Sequence, residues 1–73
     1  MLQQEYANNY NNSVTISEKG SWLFDAKRIR NCEFVPVAET EKAVKIIVDA
    51  TAFDGGFRVE WLPKSQLESW VIN

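Results

Sequence analysis

Seventy-three residues are enough for one domain, and eight basic against ten acidic side chains leave a net charge of −2. A chain this short buries only roughly 60% of its unfolded surface, and below about 70–80 residues a core often needs a disulfide, a metal or a partner chain. A single cysteine, Cys32, and the absence of histidine exclude an intrachain disulfide and a zinc site of the usual Cys/His kind.

Residues 1–12 are rich in Asn, Gln and Tyr, with Leu2 the one large aliphatic residue after Met1. That composition reads as a flexible arm. The alternative is that Tyr6 and Tyr10, four apart, dock one helical turn on the body. "SVTIS" at 13–17 alternates with β-branched residues, so Val14 and Ile16 share one face of a strand. "EKG" at 18–20 reads as a turn. "SWLFDAKRIRN" at 21–31 admits two readings. As a helix it stacks Trp22, Ala26 and Ile29; as a strand it pairs Trp22 with Phe24 on one face. A strand through about Phe24 followed by an irregular or helical turn is the favoured one.

"CEFVPV" at 32–37 is a short strand, edge-like or bulged because Pro36 has no N–H for a ladder. "AETE" turns the chain. "KAVKIIVDA" at 42–50 sets Val44, Ile46 and Val48 on one face, with Lys45 and Asp49 on the other beside Ile47, a half-buried antiparallel strand. "FDGG" tolerates positive φ and marks a tight reversal around Asp54–Gly56. "FRVEWL" then alternates, with Phe57, Val59 and Trp61 expected inward and Arg58 and Glu60 outward, beside Lys45 and Asp49. Pro63 ends that strand. Ser65 and Glu68 form a Ser-x-x-Glu capping box, and Leu67, Trp70 and Val71 line one face of a short helical lid. The fold expected is therefore mainly β with a minor α part. It is a small antiparallel sheet or barrel-like roll of four or five strands, closed by a C-terminal helical turn. Residues 1–12 are the arm and 13–73 the single domain.

"AETEKAVKIIVDA", a hairpin and "EWLPKSQLE" resemble a small β domain of phage and mobile-element proteins. The matching residues are Glu39, Thr40, Glu41, Lys42 and Ala43, then Trp61, Leu62, Pro63, Lys64 and Ser65. The likeness spans roughly residues 32–68, and the hairpin "DATAFDGG" is longer than the family's compact one. The resemblance implies a phage-like origin and a small β domain. It implies no catalytic residue.

Chemistry is sparse. Without histidine there is no imidazole base, and Cys32 lacks the partner that would activate it, so it reads as a small buried hydrophobe. Glu39 and Glu41 read as solvated turn charges, and "DGG" lacks the Lys-Ser/Thr of a phosphate loop. No catalytic residue, cofactor or metal is expected. The unpaired thiol, the lack of a signal peptide and the short apolar runs point to a cytoplasmic, host-cell setting without a membrane.

"KRIR" at 27–30 is a local basic cluster. The candidate partner-binding residues are Trp22, Lys27, Arg28, Arg30 and Lys64. Cations beside aromatic platforms can hold single-stranded nucleic acid, whereas the overall acidic balance suits a protein partner. For Trp61, in phase with Phe57 and Val59, burial in the core is favoured. The leading expectation is a non-catalytic protein–protein interaction module that modulates or inhibits a host or defence complex, as anti-CRISPR and other counter-defence proteins do. That step is analogy from the suspected origin. A single-strand-binding module is the alternative, and edge strands also permit a homodimer.

Overall fold

A computed structural model describes residues 1–73. Five antiparallel strands form two sheets: β1 (Ser13–Ile16) pairs with β5 (Leu67–Val71), while β2 (Glu33–Glu39), β3 (Ala43–Asp49) and β4 (Phe57–Pro63) make a meander in the order β2-β3-β4. Helix α1 (Leu2–Asn8) lies on one face of the meander. The β1–β5 sheet and the short helix α2 (Leu23–Ala26) lie on the other. The sheets do not close into a barrel, so the mainly-β expectation holds and the barrel-like closure does not.

Strand β3 carries the core because both of its faces are covered. Val44, Ile46 and Val48 meet Leu23, Ile29, Leu62 and Leu67 on one side, and Ile47 meets Tyr6 and Val35 on the other. The half-buried strand read from Lys45 and Asp49 is thus a two-sided one. Its second cover comes from the segment read as a flexible arm. Tyr6 is buried, with its ring 5.4 Å from Phe57 and 6.0 Å from Tyr10. The docked helical turn is the arrangement found. An amphipathic turn too polar to fold alone gains its order from that aromatic contact.

The β3–β4 hairpin is present without a break in register, from Asp49↔Phe57 to Ala43↔Pro63. Its connection is longer than a tight reversal. Residues Thr51–Phe53 make a 3-10 turn, after which Asp54 (φ 60°) and Gly56 (φ 62°) adopt the left-handed conformation. Strand β4 is in the opposite phase to the one its alternation suggests. Leu62 is fully buried, whereas Trp61 is 43% exposed. Phe57, Val59 and Trp61 sit opposite Asp49, Ile47 and Lys45 on the α1 face; Arg58 and Glu60 sit opposite Val48 and Ile46 on the main-core face. The expected charge ladder with Lys45 and Asp49 is therefore absent. Arg58 is accommodated inside because its guanidinium donates to the Lys27 and Arg28 carbonyls, at 2.6 and 2.9 Å, and to Glu60 at 3.1 Å. A paired, hydrogen-bonded charge can sit at the rim of a core where a bare one cannot.

Two bulges account for the other departures. In β2 the register shifts between Pro36 and Ala38, next to the edge-strand proline. In β5 it shifts at Glu68, since Ile16 faces Leu67 while Thr15 faces Ser69. The extra residue keeps Leu67, Trp70 and Ile72 on the core side. The spacing of three between Leu67 and Trp70 that imitates a helix is thus a bulged strand. No C-terminal helix forms, and residues Lys64–Gln66 make only a 3-10 turn without a side-chain cap. Residues 21–24 do not form a strand beside β1, whose partner is the tail. Instead Leu23 and Ile29 enter the core while Trp22 stands 53% exposed.

Gly20 is where the tail meets the first half of the chain. A β-carbon there would collide with the Gln66 carbonyl, which also accepts hydrogen bonds from the Ser17 amide and hydroxyl, both at 2.9 Å. Only glycine lets these two segments approach so closely.

Candidate functional site

The five candidate residues separate into two groups. Trp22 belongs with the 64–66 turn, its indole N–H donating to the Gln66 side-chain oxygen at 3.3 Å. Lys64, in that same turn, donates to Glu39 at 2.6 Å and rests 5.1 Å from the centre of the Trp70 ring. The hydrogen bond and charge of Lys64 hold the Glu39 carboxyl below its ordinary range. Lys64 is thus committed within the chain and is not a free cation.

That corner also explains why the two resemblance motifs occur together. Glu39–Ala43 forms the β2–β3 turn, in which Thr40 accepts from the Ala43 amide at 3.1 Å through its hydroxyl. Trp61–Ser65 ends β4. The Lys64 amide donates to the Lys42 carbonyl at 2.8 Å, and Ala43 pairs with Pro63. Motifs separated by about twenty residues of sequence meet as one hydrogen-bonded corner, which gives them a structural role.

The basic cluster lies at the opposite end of β4. Residues 24–32 and the loop 50–56 bound an open cleft of about 520 Å³, lined among others by Phe24, Arg28, Arg30, Cys32, Phe53 and Arg58. Asp25 takes Arg30 in a bidentate pair at 2.8 and 3.1 Å, with the guanidinium 5.5 Å from the centre of the Phe24 ring. The same pair lowers the Asp25 pKa and raises that of Arg30. Arg58 is held by Glu60 and the two carbonyls. Neither Lys27 nor Arg28 has a side-chain hydrogen bond or ion pair, and Arg28, which is exposed, holds a positive φ of 56°. Phe53, at 59% exposure, stands on the facing wall. In the sequence it reads as one of the packing aromatics, but its place just before the Asp54–Gly56 turn puts it at a loop tip, outside the core.

Cys32 is partly exposed rather than fully buried, with its thiol directed at the Arg28 carbonyl 3.8 Å away. No group of three or more Cys, Asp or Glu side chains is arranged to hold a metal ion, and no helix is long and apolar enough to cross a membrane. The positive charge is not continuous along the molecule. Asp25, Glu60 and Glu39 each neutralise a neighbouring cation between the cleft and Lys64. What the cleft offers is one free cation, Arg28, two cations already paired, Arg30 and Arg58, and an exposed aromatic ring. Comparison of the chain with protein-family models, with curated proteins and with solved structures finds no match.

Proposed function

We propose that this chain is a non-catalytic protein-binding module, phage or mobile-element encoded, that modulates or inhibits a host or defence complex in the manner of anti-CRISPR and other counter-defence proteins. The phage element of that reading rests on the resemblance at Glu39–Ala43 and Trp61–Ser65. The observation that carries the binding element is the cleft, where Arg28 stands unpaired and the exposed Phe53 lines the same opening. An acidic protein surface with an apolar knob complements that arrangement in charge and shape. Single-stranded nucleic acid is less well served. Strand tracking needs a run of free cations beside stacking platforms, and here Arg30, Arg58 and Lys64 are each taken by a carboxylate.

Affinity capture from host lysate, with mass spectrometry and nucleic-acid detection on one eluate, tests the reading. The expected result is a protein partner retained by the native chain and lost by the Arg28→Glu, Phe53→Ala double variant, whose sites are both exposed and so leave the fold intact. Recovery of RNA or single-stranded DNA in place of protein, released as salt rises, overturns it.

A further inference from the structure

We propose that the chain forms a two-fold dimer by pairing β4 with β4 of a second copy, centred on Val59. The β3–β4 ladder has the Ala50 amide bonded to the Gly56 carbonyl at 2.8 Å and the Lys64 amide to the Lys42 carbonyl at 2.8 Å. With no register shift between them, antiparallel alternation makes 48/58, 46/60 and 44/62 the hydrogen-bonded pairs. The N–H and C=O groups of Phe57, Val59 and Trp61 consequently point away from β3. None of them has a side-chain or loop partner in the chain. The meander's other edge is different, for Asn12 donates to the Pro36 carbonyl at 2.9 Å there. The open edge is β4.

The side chains select a second copy, and one register of it. Outward-pointing residues must pair with outward-pointing residues, so the centre can lie at position 58, 59 or 60. Centring on Arg58 sets two guanidiniums opposite each other, and centring on Glu60 sets two carboxylates opposite each other; both arrangements are repulsive. Centring on Val59 places Arg58 opposite Glu60 of the second copy and Glu60 opposite its Arg58, with Val59 against Val59. It also sets Phe57 opposite the second copy's Trp61, which joins the half-exposed indole to an aromatic neighbour. Three outward residues per strand then exchange six backbone hydrogen bonds. Pro63, the next outward position, has no N–H and ends the ladder. The contact is isologous and closes on itself, so it does not propagate into fibres. The dimer does not depend on the cleft's partner, and either can fail alone.

Sedimentation of the full chain from micromolar to millimolar concentration, paired with amide exchange, tests the proposal. The expected result is a monomer–dimer equilibrium in which the Val59 and Trp61 amides gain protection as concentration rises. The Arg58, Glu60 and Leu62 amides are expected to be protected throughout. Val59→Pro removes an N–H that the β3 ladder does not use, so circular dichroism is expected to be retained while the dimer is lost. Val59→Thr is expected to keep it. A chain that stays monomeric at every concentration overturns the proposal, as does a dimer that survives Val59→Pro or leaves the Val59 amide exchange unchanged.

Discussion

Asn12 is the polar side chain on which three separated segments converge. Its Nδ2 donates to the Asn9 side chain at 3.0 Å and to the Pro36 carbonyl at 2.9 Å, while its Oδ1 accepts from the Asn73 amide at 3.1 Å. It is buried, and it ties the end of α1, the bulge of β2 and the C-terminus together. Asn12→Ala would strand the Pro36 carbonyl, a cost of about 1–3 kcal/mol. Urea unfolding is the check, with Asn11→Ala as the exposed control, expected within about 0.5 kcal/mol of the native chain. Nothing in the stretch "NNYNN" distinguishes Asn12 from its neighbours. Its role is set by Pro36, whose carbonyl faces outward only once β2 is placed, and that is a contact across 24 residues.

At the scale of elements, the tail discriminates most sharply between sequence pattern and tertiary pairing. A capping box would make Ser65→Ala cost about 1 kcal/mol. In the 3-10 turn before the bulged strand Ser65 is exposed and caps nothing, so the expected change lies within about 0.5 kcal/mol, read from urea midpoints. Local signals served well wherever the chain pairs with its near neighbour. Pro36 marked a bulge in β2, and Asp54 with Gly56 marked the β3–β4 reversal. They failed where the partner lies far away in sequence. Strand β5 needs β1, over fifty residues earlier, and its bulge shifts the apolar spacing into helical guise. The 21–24 segment misled as well, since Leu23 and Ile29 enter the core from a helical turn that strand alternation does not display. The phase of β4 was hidden by two inward charges, which Arg58 sustains through carbonyls that no pattern displays. Of the candidate site, the basic cluster was legible from composition, whereas its facing Phe53 and the internal pairing of Lys64 were not.

For the whole molecule, acid sensitivity follows from three carboxylates. Asp25 is lowered by Arg30, Glu39 by Lys64, and Asp49 by the Thr51 hydroxyl and amide. A folded pKa below the unfolded value adds stability that is present above the unfolded pKa, near 4, and is lost as pH falls through the folded one. Urea midpoints are therefore expected to be level near neutrality and to fall in acid, with Glu39→Gln flattening part of that limb. Tyr6 acts in the reverse sense. Burial, then Glu33, Asp49 and Tyr10, raise its pKa, so its contribution holds below about pH 10 and fades above it as α1 loosens. The fold as a whole turns on the orientation of one strand, for β4 decides which side chains fill the core and which edge stays open. Its most direct test is urea unfolding of Leu62→Ala against Trp61→Ala. Removing the fully buried leucine is expected to cost about 2–5 kcal/mol, and truncating the half-exposed tryptophan distinctly less. A larger loss at position 61 than at 62 would contradict the orientation and everything built on it.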